Sequence, residues 1–339
     1  MKPNTAVALV MLCVVACRSK AEPTPSPPPP AATAPATSAP IPPAPSAIGD
    51  PGHADRGPWT VPPPSILPAP DRLVAFADVH GDLDATLAVL AMAGVIDANR
   101  QWIGGTTVVV QTGDQLDRGD DERAILDLFE SLSEQAWAAG GGFYPLLGNH
   151  ETMNVALDLR YITADGFETF ADVAHSPSDQ TVMAHPKHKR GRVAAFQPGG
   201  PYALKLAGHN VAMKVGDTVF VHGGILPEHA RAGLDTINRS VQAWIRGEAP
   251  MPDHWVRSRS SPVWSRHYSK NPDDRDCALL REALAILDAK RMVVGHTVQD
   301  APNPACDGAV WRMDVGMAKH YGGRPAALNI EGESVTLLQ

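Results

Sequence analysis

The chain has 339 residues, of which 44% are hydrophobic and 19% are charged, and its formal net charge at pH 7 is -8. This balance is typical of a soluble protein with a sizeable core, and it argues against a nucleic-acid partner. It does not exclude a phosphate-binding cleft, because bound metal ions can reverse the local sign of the charge.

The first residues have the pattern of an export signal. A basic start, Met1–Lys2, is followed by an apolar run over 6–16 that is too short to span a bilayer well, and small residues precede Cys17. Residues 1–16 therefore resemble a lipoprotein-type signal peptide, with a conventional signal peptide or an uncleaved anchor as alternatives. We expect a bacterial cell-envelope protein that is lipid-anchored to a membrane through Cys17. The expected location is the outer membrane, either on its periplasmic side or at the cell surface.

Residues 17–70 are rich in Pro and Ala, and more than half of the 32 prolines of the chain lie before residue 71. Proline removes backbone donors and favours extended geometry, so this composition predicts a disordered tether. Residues 71–339 form the expected globular domain. Within it, Cys277 and Cys306 could pair in an oxidising compartment or remain as buried thiols.

Three apolar runs of strand length each end in a glycine-bearing turn that carries Asp, His or Asn. The runs and turns span 73–82, 107–119 and 143–151. Helical patterns over 84–94 and 120–139 separate them, and alternating strands and helices predict parallel pairing with right-handed crossovers. Because ligands bind at the carboxyl ends of such strands, we expect the three turns to form one cluster.

The second half of the domain is less regular. Residues 154–214 predict an inserted, mostly helical cap, and its basic run over 187–192 is either an attractor for an anionic substrate or a solvated loop. Two further strand-like runs end in His222 and His296, and 277–291 has a helical pattern. The segments 310–314 and 334–338 predict antiparallel strands that close a second sheet. Asp314 is interpreted as a structural residue.

Six residues at the expected strand ends are of metal-ligating types: Asp78, His80, Asp114, Asn149, His222 and His296. Carboxylate and amide oxygens mixed with imidazole nitrogens suit Mn, Fe or Zn ions. Six ligands are too many for one tetrahedral ion but suit two ions with a shared carboxylate, and Asp114 is the expected bridge because it lies on the middle turn.

Three neighbouring side chains complete a site for phosphoryl transfer. The guanidinium of Arg118 can bind two phosphate oxygens. His150 follows Asn149, so it lies near the metals without having to ligate them, and it could protonate the leaving group. Asp117 could hold the other nitrogen of this imidazole.

Five motifs together resemble the phosphoprotein phosphatase family of metallophosphoesterases. They are Asp78-Val-His80-Gly81, Gly113-Asp114-Gln-Leu-Asp117-Arg118-Gly119, Gly148-Asn149-His150-Glu151, His222-Gly-Gly224 and Gly295-His296. The resemblance covers nearly all of 71–339 and is strongest to the bacterial Shewanella-like phosphatases. It implies an α/β fold of the calcineurin-like type, which is a two-sheet β-sandwich flanked by helices.

The resemblance also implies residue roles. The residues that resemble the ligands of a first metal are Asp78, His80 and Asp114. Those that resemble the ligands of a second metal are Asp114, Asn149, His222 and His296. Arg118 and His150 resemble the phosphate clamp and the general acid, with Asp117 in support. A second clamp arginine is expected, with Arg266 preferred over Arg257 and Arg259. The segment that carries a substrate-facing Tyr in eukaryotic Ser/Thr phosphatases is not recognisable.

The expected function is hydrolysis of phosphomonoesters, in a phosphoprotein or phosphopeptide, by attack of a metal-bound hydroxide. One alternative is a hydrolase of dinucleoside polyphosphates or other small phosphoesters. Another, from a different class, is a tethered binding protein with an inactive site.

Overall fold

The structure is a computed structural model that describes residues 62–339. The expected signal peptide and the tether up to residue 61 lie outside the described residues. The strands are β1 Ile66–Leu67, β2 Leu73–Phe76, β3 Val108–Gln111, β4 Gly142–Pro145, β5 Ala212–Val215, β6 Thr218–Val221, β7 Arg291–Val294, β8 Asn303–Ala305, β9 Val310–Arg312, β10 Ala327–Glu331 and β11 Ser334–Leu338.

The longer helices flank the sheets, and the short ones lie between residues 149 and 256. They are α1 Leu83–Met92, α2 Glu122–Ala138, α3 Asn149–Val155, α4 Ala164–Glu168, α5 Gln180–Met183, α6 Arg190–Phe196, α7 Pro201–Leu206, α8 Pro227–Ala232, α9 Leu234–Ile245, α10 Asp253–Val256 and α11 Asp274–Ile286. None of the helices within 62–339 combines the length and hydropathy needed to cross a bilayer.

The strands form two sheets. The five-stranded sheet has the order β11-β10-β2-β3-β4, and β2, β3 and β4 are parallel neighbours, which confirms the predicted pairing. The six-stranded sheet has the order β1-β5-β6-β7-β9-β8, with β6, β7 and β9 parallel. Each sheet therefore has a parallel centre, whose strand ends point to one edge.

The apolar runs of the strands are continuous because both faces of each sheet are covered. Leu73 and Ala75 of β2 pack with Phe220 and Val293 of the other sheet. The alternate residues Val74 and Phe76 face the opposite way and pack against α1 and α2. The predicted α/β sandwich is confirmed.

Two sequence-based predictions differ from the structure, one about a domain boundary and one about strand pairing. β1 pairs with β5, and Ser65 is buried, so the last residues of the expected tether belong to the folded domain. The segments 310–314 and 334–338 do not share a sheet: β9 pairs with β7 and β8, whereas β11 pairs with β10. This prediction was wrong because the local sequence indicates that a segment is a strand, whereas the strand it pairs with depends on how the whole sheet assembles.

Cys277 and Cys306 form a disulfide, with 5.2 Å between their Cα atoms. This separation lies within the range that a disulfide requires. The bond ties the first turn of α11 to the turn that follows β8.

Candidate metal centre and active site

The site lies where the carboxyl ends of the parallel strands of both sheets meet. Turns after β2, β3 and β4 supply ligand candidates from one sheet, and turns after β6 and β7 supply them from the other. All six predicted ligand residues are at most 8% exposed: Asp78, His80, Asp114, Asn149, His222 and His296.

The Nε2 atom of His222 lies at the centre of one ligand group. It is 3.0 Å from Asn149 Oδ1, 3.1 Å from His296 Nδ1 and 3.1 Å from Asp114 Oδ2. His222 Nδ1 lies 3.0 Å from the carbonyl oxygen of Thr112, to which it donates when it carries the ring proton. His222 Nε2 then presents a lone pair beside the oxygens of Asn149 and Asp114, an arrangement that a cation between them would stabilise.

A second group adjoins the first. His80 Nδ1 lies 3.0 Å from the carbonyl oxygen of Leu116, which leaves Nε2 facing Asp114 Oδ2 at 3.7 Å and Asp78 Oδ2 at 3.9 Å. Asp114 therefore contacts both groups, as the bridging role requires. The donor set of imidazole nitrogens and carboxylate oxygens fits divalent metal ions.

The clustering of buried carboxyl groups in the site also favours a bound cation. Burial, together with the nearby carboxyl groups of Asp314 and Asp114, raises the pKa of Asp78 well above its usual range. Burial likewise raises the pKa of Asp314 to about 6. Burial lowers the pKa of His80 to about 4, although Asp114 opposes this change, so the imidazole is a neutral ligand near pH 7. Bound metal ions would supply the missing positive charge.

The turns that carry these residues have unusual backbone conformations. Positive φ angles occur at His80 (41°), Asp114 (59°), Asp117 (68°), Arg118 (73°) and His296 (66°). Such angles cost free energy for non-glycine residues and persist only where the surroundings enforce them. The carboxylate of Glu151 does so for the middle turn, since it accepts hydrogen bonds from the backbone N–H groups of Asp114, Gln115, Leu116 and Gly148. This role of Glu151 is not predicted from the sequence.

Two glycines in the motifs make room for the carboxylates. A Cβ atom on Gly148 would lie 2.1 Å from Asp114 Oδ1, and one on Gly295 would lie 2.4 Å from Asp78 Oδ1. Any side chain at either position would therefore displace a ligand.

His150 and Asp117 form a buried pair beside the metal-ligating groups. Nδ1 of His150 lies 2.6 Å from Asp117 Oδ2, and Nε2 lies 3.9 Å from Asp114 Oδ2. Burial opposes the charge on the imidazole, but the carboxylates of Asp114 and Asp117 outweigh it and raise the pKa of His150 to about 9. The direction of this change favours the protonated form that a proton donor needs.

Two arginines line the cavity of about 110 Å³ above the ligands. The guanidinium of Arg118 stacks over the ring of Tyr161, 4.0 Å from its centroid, and Arg266 donates to the carbonyl oxygen of His296 at 2.9 Å. Arg257 and Arg259, the rivals for the second clamp, line neighbouring grooves instead. The geometry favours Arg266.

Two residues of the cavity were missed or misread in the sequence. Asp314 follows β9 and lines the cavity beside Asp78, so it belongs to the site and is more than the structural residue we expected. A strand-end rule applied to β9 could have found it. Tyr321 also lines the cavity, and its ring centroid lies 5.4 Å from that of His80. It lies in an irregular loop whose sequence gives no such signal.

The fold and the buried His and Asp cluster define a metal-dependent phosphoesterase. The family model for calcineurin-like phosphoesterases matches residues 71–300, and the chain belongs to this family. It is 39% identical to Shewanella-like protein phosphatase 2 of Arabidopsis thaliana over 301 residues, which cover 78% of this chain and 76% of the relative.

The solved structures agree. The cold-active protein-tyrosine phosphatase of a psychrophilic Shewanella species is 25% identical and superposes with a TM-score of 0.68, covering 83% of this chain and 84% of that one. A yeast protein serine/threonine phosphatase, at 14% identity and a TM-score of 0.52, shares the fold. The chain is thus a metal-dependent phosphatase related to the Shewanella-like phosphatases.

Proposed function

We propose that the protein removes phosphate from phosphorylated side chains of peptides or proteins and prefers phosphotyrosine. The observation that carries this proposal is the surface around the metal centre. The small catalytic cavity shares Trp264 with two larger grooves, of about 350 and 510 Å³. Grooves that adjoin the cavity give room for the peptide residues next to a phosphorylated one.

The rim of the cavity supports the preference for an aromatic ester. Tyr161, Trp264, Val298 and Tyr321 line it beside the two arginines, and Val298 and Tyr321 are 49% and 41% exposed. Exposed apolar side chains next to a polar centre provide contact area for a phenyl ring. The relative from Shewanella is named as a protein-tyrosine phosphatase, which agrees with this choice.

We infer that two metal ions, of Mn, Fe or Zn, are held by the six residues at the strand ends, with Asp114 shared. When bound, such a pair activates water and neutralises charge on the phosphoryl group. The guanidinium groups of Arg118 and Arg266 bind phosphate oxygens and orient the ester. His150 donates its Nε2 proton to the leaving oxygen, and Asp117 holds the opposite nitrogen.

A substrate panel tests this proposal. Metal-loaded protein is assayed with matched phosphotyrosine, phosphoserine and phosphothreonine peptides, with p-nitrophenyl phosphate and with a dinucleoside tetraphosphate. We expect the highest kcat/KM on the phosphotyrosine peptide. A higher kcat/KM on the dinucleotide would replace the proposal with the alternative of a dinucleoside polyphosphate hydrolase. Absence of turnover with every ester would leave the alternative of a tethered binding protein with an inactive site.

We also propose that the protein is exported and lipid-anchored through Cys17 in the bacterial envelope. The signal-like residues 1–16 support this, and so does the Cys277–Cys306 disulfide, because disulfides persist in oxidising compartments. Fractionation of cells that express the full chain or its Cys17→Ser variant tests it. The wild-type chain should be found in the membrane fraction and the variant should not.

A further inference from the structure

The basic run over 187–192 does not act as one unit. Lys187 and His188 are exposed but lie in a short 3₁₀ helix and not in a loop, whereas Arg192, in α6, is turned inward and is 0% exposed. A buried arginine requires partners for its charge and for its five N–H groups. Those partners lie toward the active site.

The guanidinium of Arg192 hydrogen-bonds to two side chains, one from α2 and one from α3. Glu122, in the first turn of α2, pairs with it through both carboxylate oxygens, one of which accepts from Nη2 at 2.8 Å. Asn154, in α3, accepts from Nε at 3.1 Å and from Nη2 at 2.8 Å through Oδ1. Both partners are 0% exposed.

These contacts fix which way the amide of Asn154 faces. Because Oδ1 accepts from the arginine, the NH₂ group points away and donates to Asp117 Oδ1 at 3.0 Å and to the carbonyl oxygen of His150 at 2.9 Å. Asp117 Oδ2 is then free to accept from His150 Nδ1. The orientation of the imidazole thus depends on a chain of contacts that starts in the inserted region.

The backbone of Asp117 is held by the same group of residues. Its N–H donates to Glu122 Oε1 at 2.5 Å, and Arg192 Nη2 lies 3.6 Å from Asp117 Oδ1. Asp117 has a φ of 68°, a conformation that needs external support. If Arg192 only neutralised the charge of Glu122, the contacts with Asn154 and Asp117 would not be needed.

We propose that Arg192 and Asn154 are positioning residues for phosphate-ester hydrolysis, and that they hold the Asp117–His150 pair in the geometry that delivers a proton to the leaving group. The inserted region therefore contributes to catalysis through its buried end and not through its exposed cations. This inference rests on the proposed role of His150.

The test compares two esters. p-Nitrophenyl phosphate releases an anion that is stable near neutral pH and needs little proton donation, whereas a phosphotyrosine peptide releases a phenol with a pKa of about 10. Loss of proton delivery should therefore reduce kcat on the peptide more than on the nitrophenyl ester. A general disturbance of the fold or of the metals would reduce both alike.

Two conservative variants retain partners in the core. Asn154→Asp can still accept from Arg192 but presents oxygen instead of N–H to Asp117. Arg192→Lys keeps the charge beside Glu122 but lacks the planar fork that also contacts Asn154. We expect kcat of each variant to fall by about 10- to 100-fold on the peptide and by less than about 3-fold on p-nitrophenyl phosphate. The loss on the peptide is a part of the roughly 10²–10⁴-fold rate increase that a general acid supplies.

Arg190→Met is the matched control, because Arg190 lies in the same basic run but binds the carbonyl oxygens of His185 and Met183. Its ratio of the two activities should equal that of the wild type. The proposal is overturned if Asn154→Asp and Arg192→Lys lower both activities equally while His150→Asn remains selective for the peptide. If His150→Asn itself shows no selectivity, the assignment of the acid fails and this inference fails with it.

Discussion

The two sheets contribute to the active site in different ways. The five-stranded sheet supplies three consecutive turns within 73–151, and each turn carries two or more chemically active residues. The six-stranded sheet supplies His222, His296 and Asp314, one per strand end and spread over more than 90 residues of the chain. Arg266 comes from a loop between two of these strands.

The difference has a structural basis. The turns after β3 and β4 are tied to each other by the Glu151 carboxylate, and α3 is tied to α6 by Arg192. The His222 side chain is instead held by the backbone carbonyl oxygen of Thr112, and the imidazoles of His222 and His296 contact each other. The first edge thus carries the proposed shared ligand and the proposed proton donor, and the second edge completes the proposed metal centre. The predictions below test this division.

The largest effect is expected at the shared ligand of the first edge. Asp114→Asn should reduce turnover by about 10⁴-fold or more, because it removes a charge that both metal-ligating groups contact. Steady-state kinetics, with circular dichroism as a check on the fold, measure this change. Asp121→Asn, in the same loop but exposed, should behave as the wild type; near-normal activity of Asp114→Asn would refute the bridging role.

His150→Asn should reduce kcat on a phosphotyrosine peptide by about 10²–10⁴-fold, since it removes the proton donor. Elemental analysis should find the metal content close to that of the wild type, because the side chain of His150 pairs with Asp117. Loss of one metal ion from this variant would make His150 a ligand and contradict its assignment.

A smaller effect is expected at the second edge. Arg266→Ala should lower kcat/KM by about 10- to 100-fold, which corresponds to loss of a hydrogen bond to a charged group. Arg257→Ala, on a neighbouring groove, is the matched control and should stay within about 3-fold of the wild type. The reverse order of the two variants would move the second clamp to Arg257.

The smallest effect on turnover is expected from Asp314→Asn. This carboxyl group lies beside the ligand Asp78, and outer partners of this kind typically change metal affinity by about 10-fold or more. Metal titrations should therefore show weaker binding, with kcat at saturating metal within a few-fold of the wild type. Unchanged affinity would return Asp314 to the structural role that the sequence suggested.

The sequence predicts the first edge well because its evidence is local. Asp78, Asp114 and Asn149 each follow an apolar strand within a few residues, and parallel strands bring their ends together. His222 and His296 follow the same rule, although only the fold shows that they face the first edge.

Other features depend on contacts between distant residues. Arg192 lies in a run of cations that resembles a solvated loop, and its burial depends on Glu122, 70 residues away. Tyr321 reaches the cavity from a loop without periodicity. The pairing of β11 with β10 rather than β9 is likewise a property of the assembled sheets.

The most direct test of the two-edge metal centre is the number of metal ions per chain in catalytically active, full-length protein. Inductively coupled plasma mass spectrometry of the wild type and of His296→Ala, each with its specific activity, provides this number. We predict two ions in the wild type, and fewer than two with severely reduced activity in His296→Ala. A wild-type protein that is fully active with one ion or none would contradict the account.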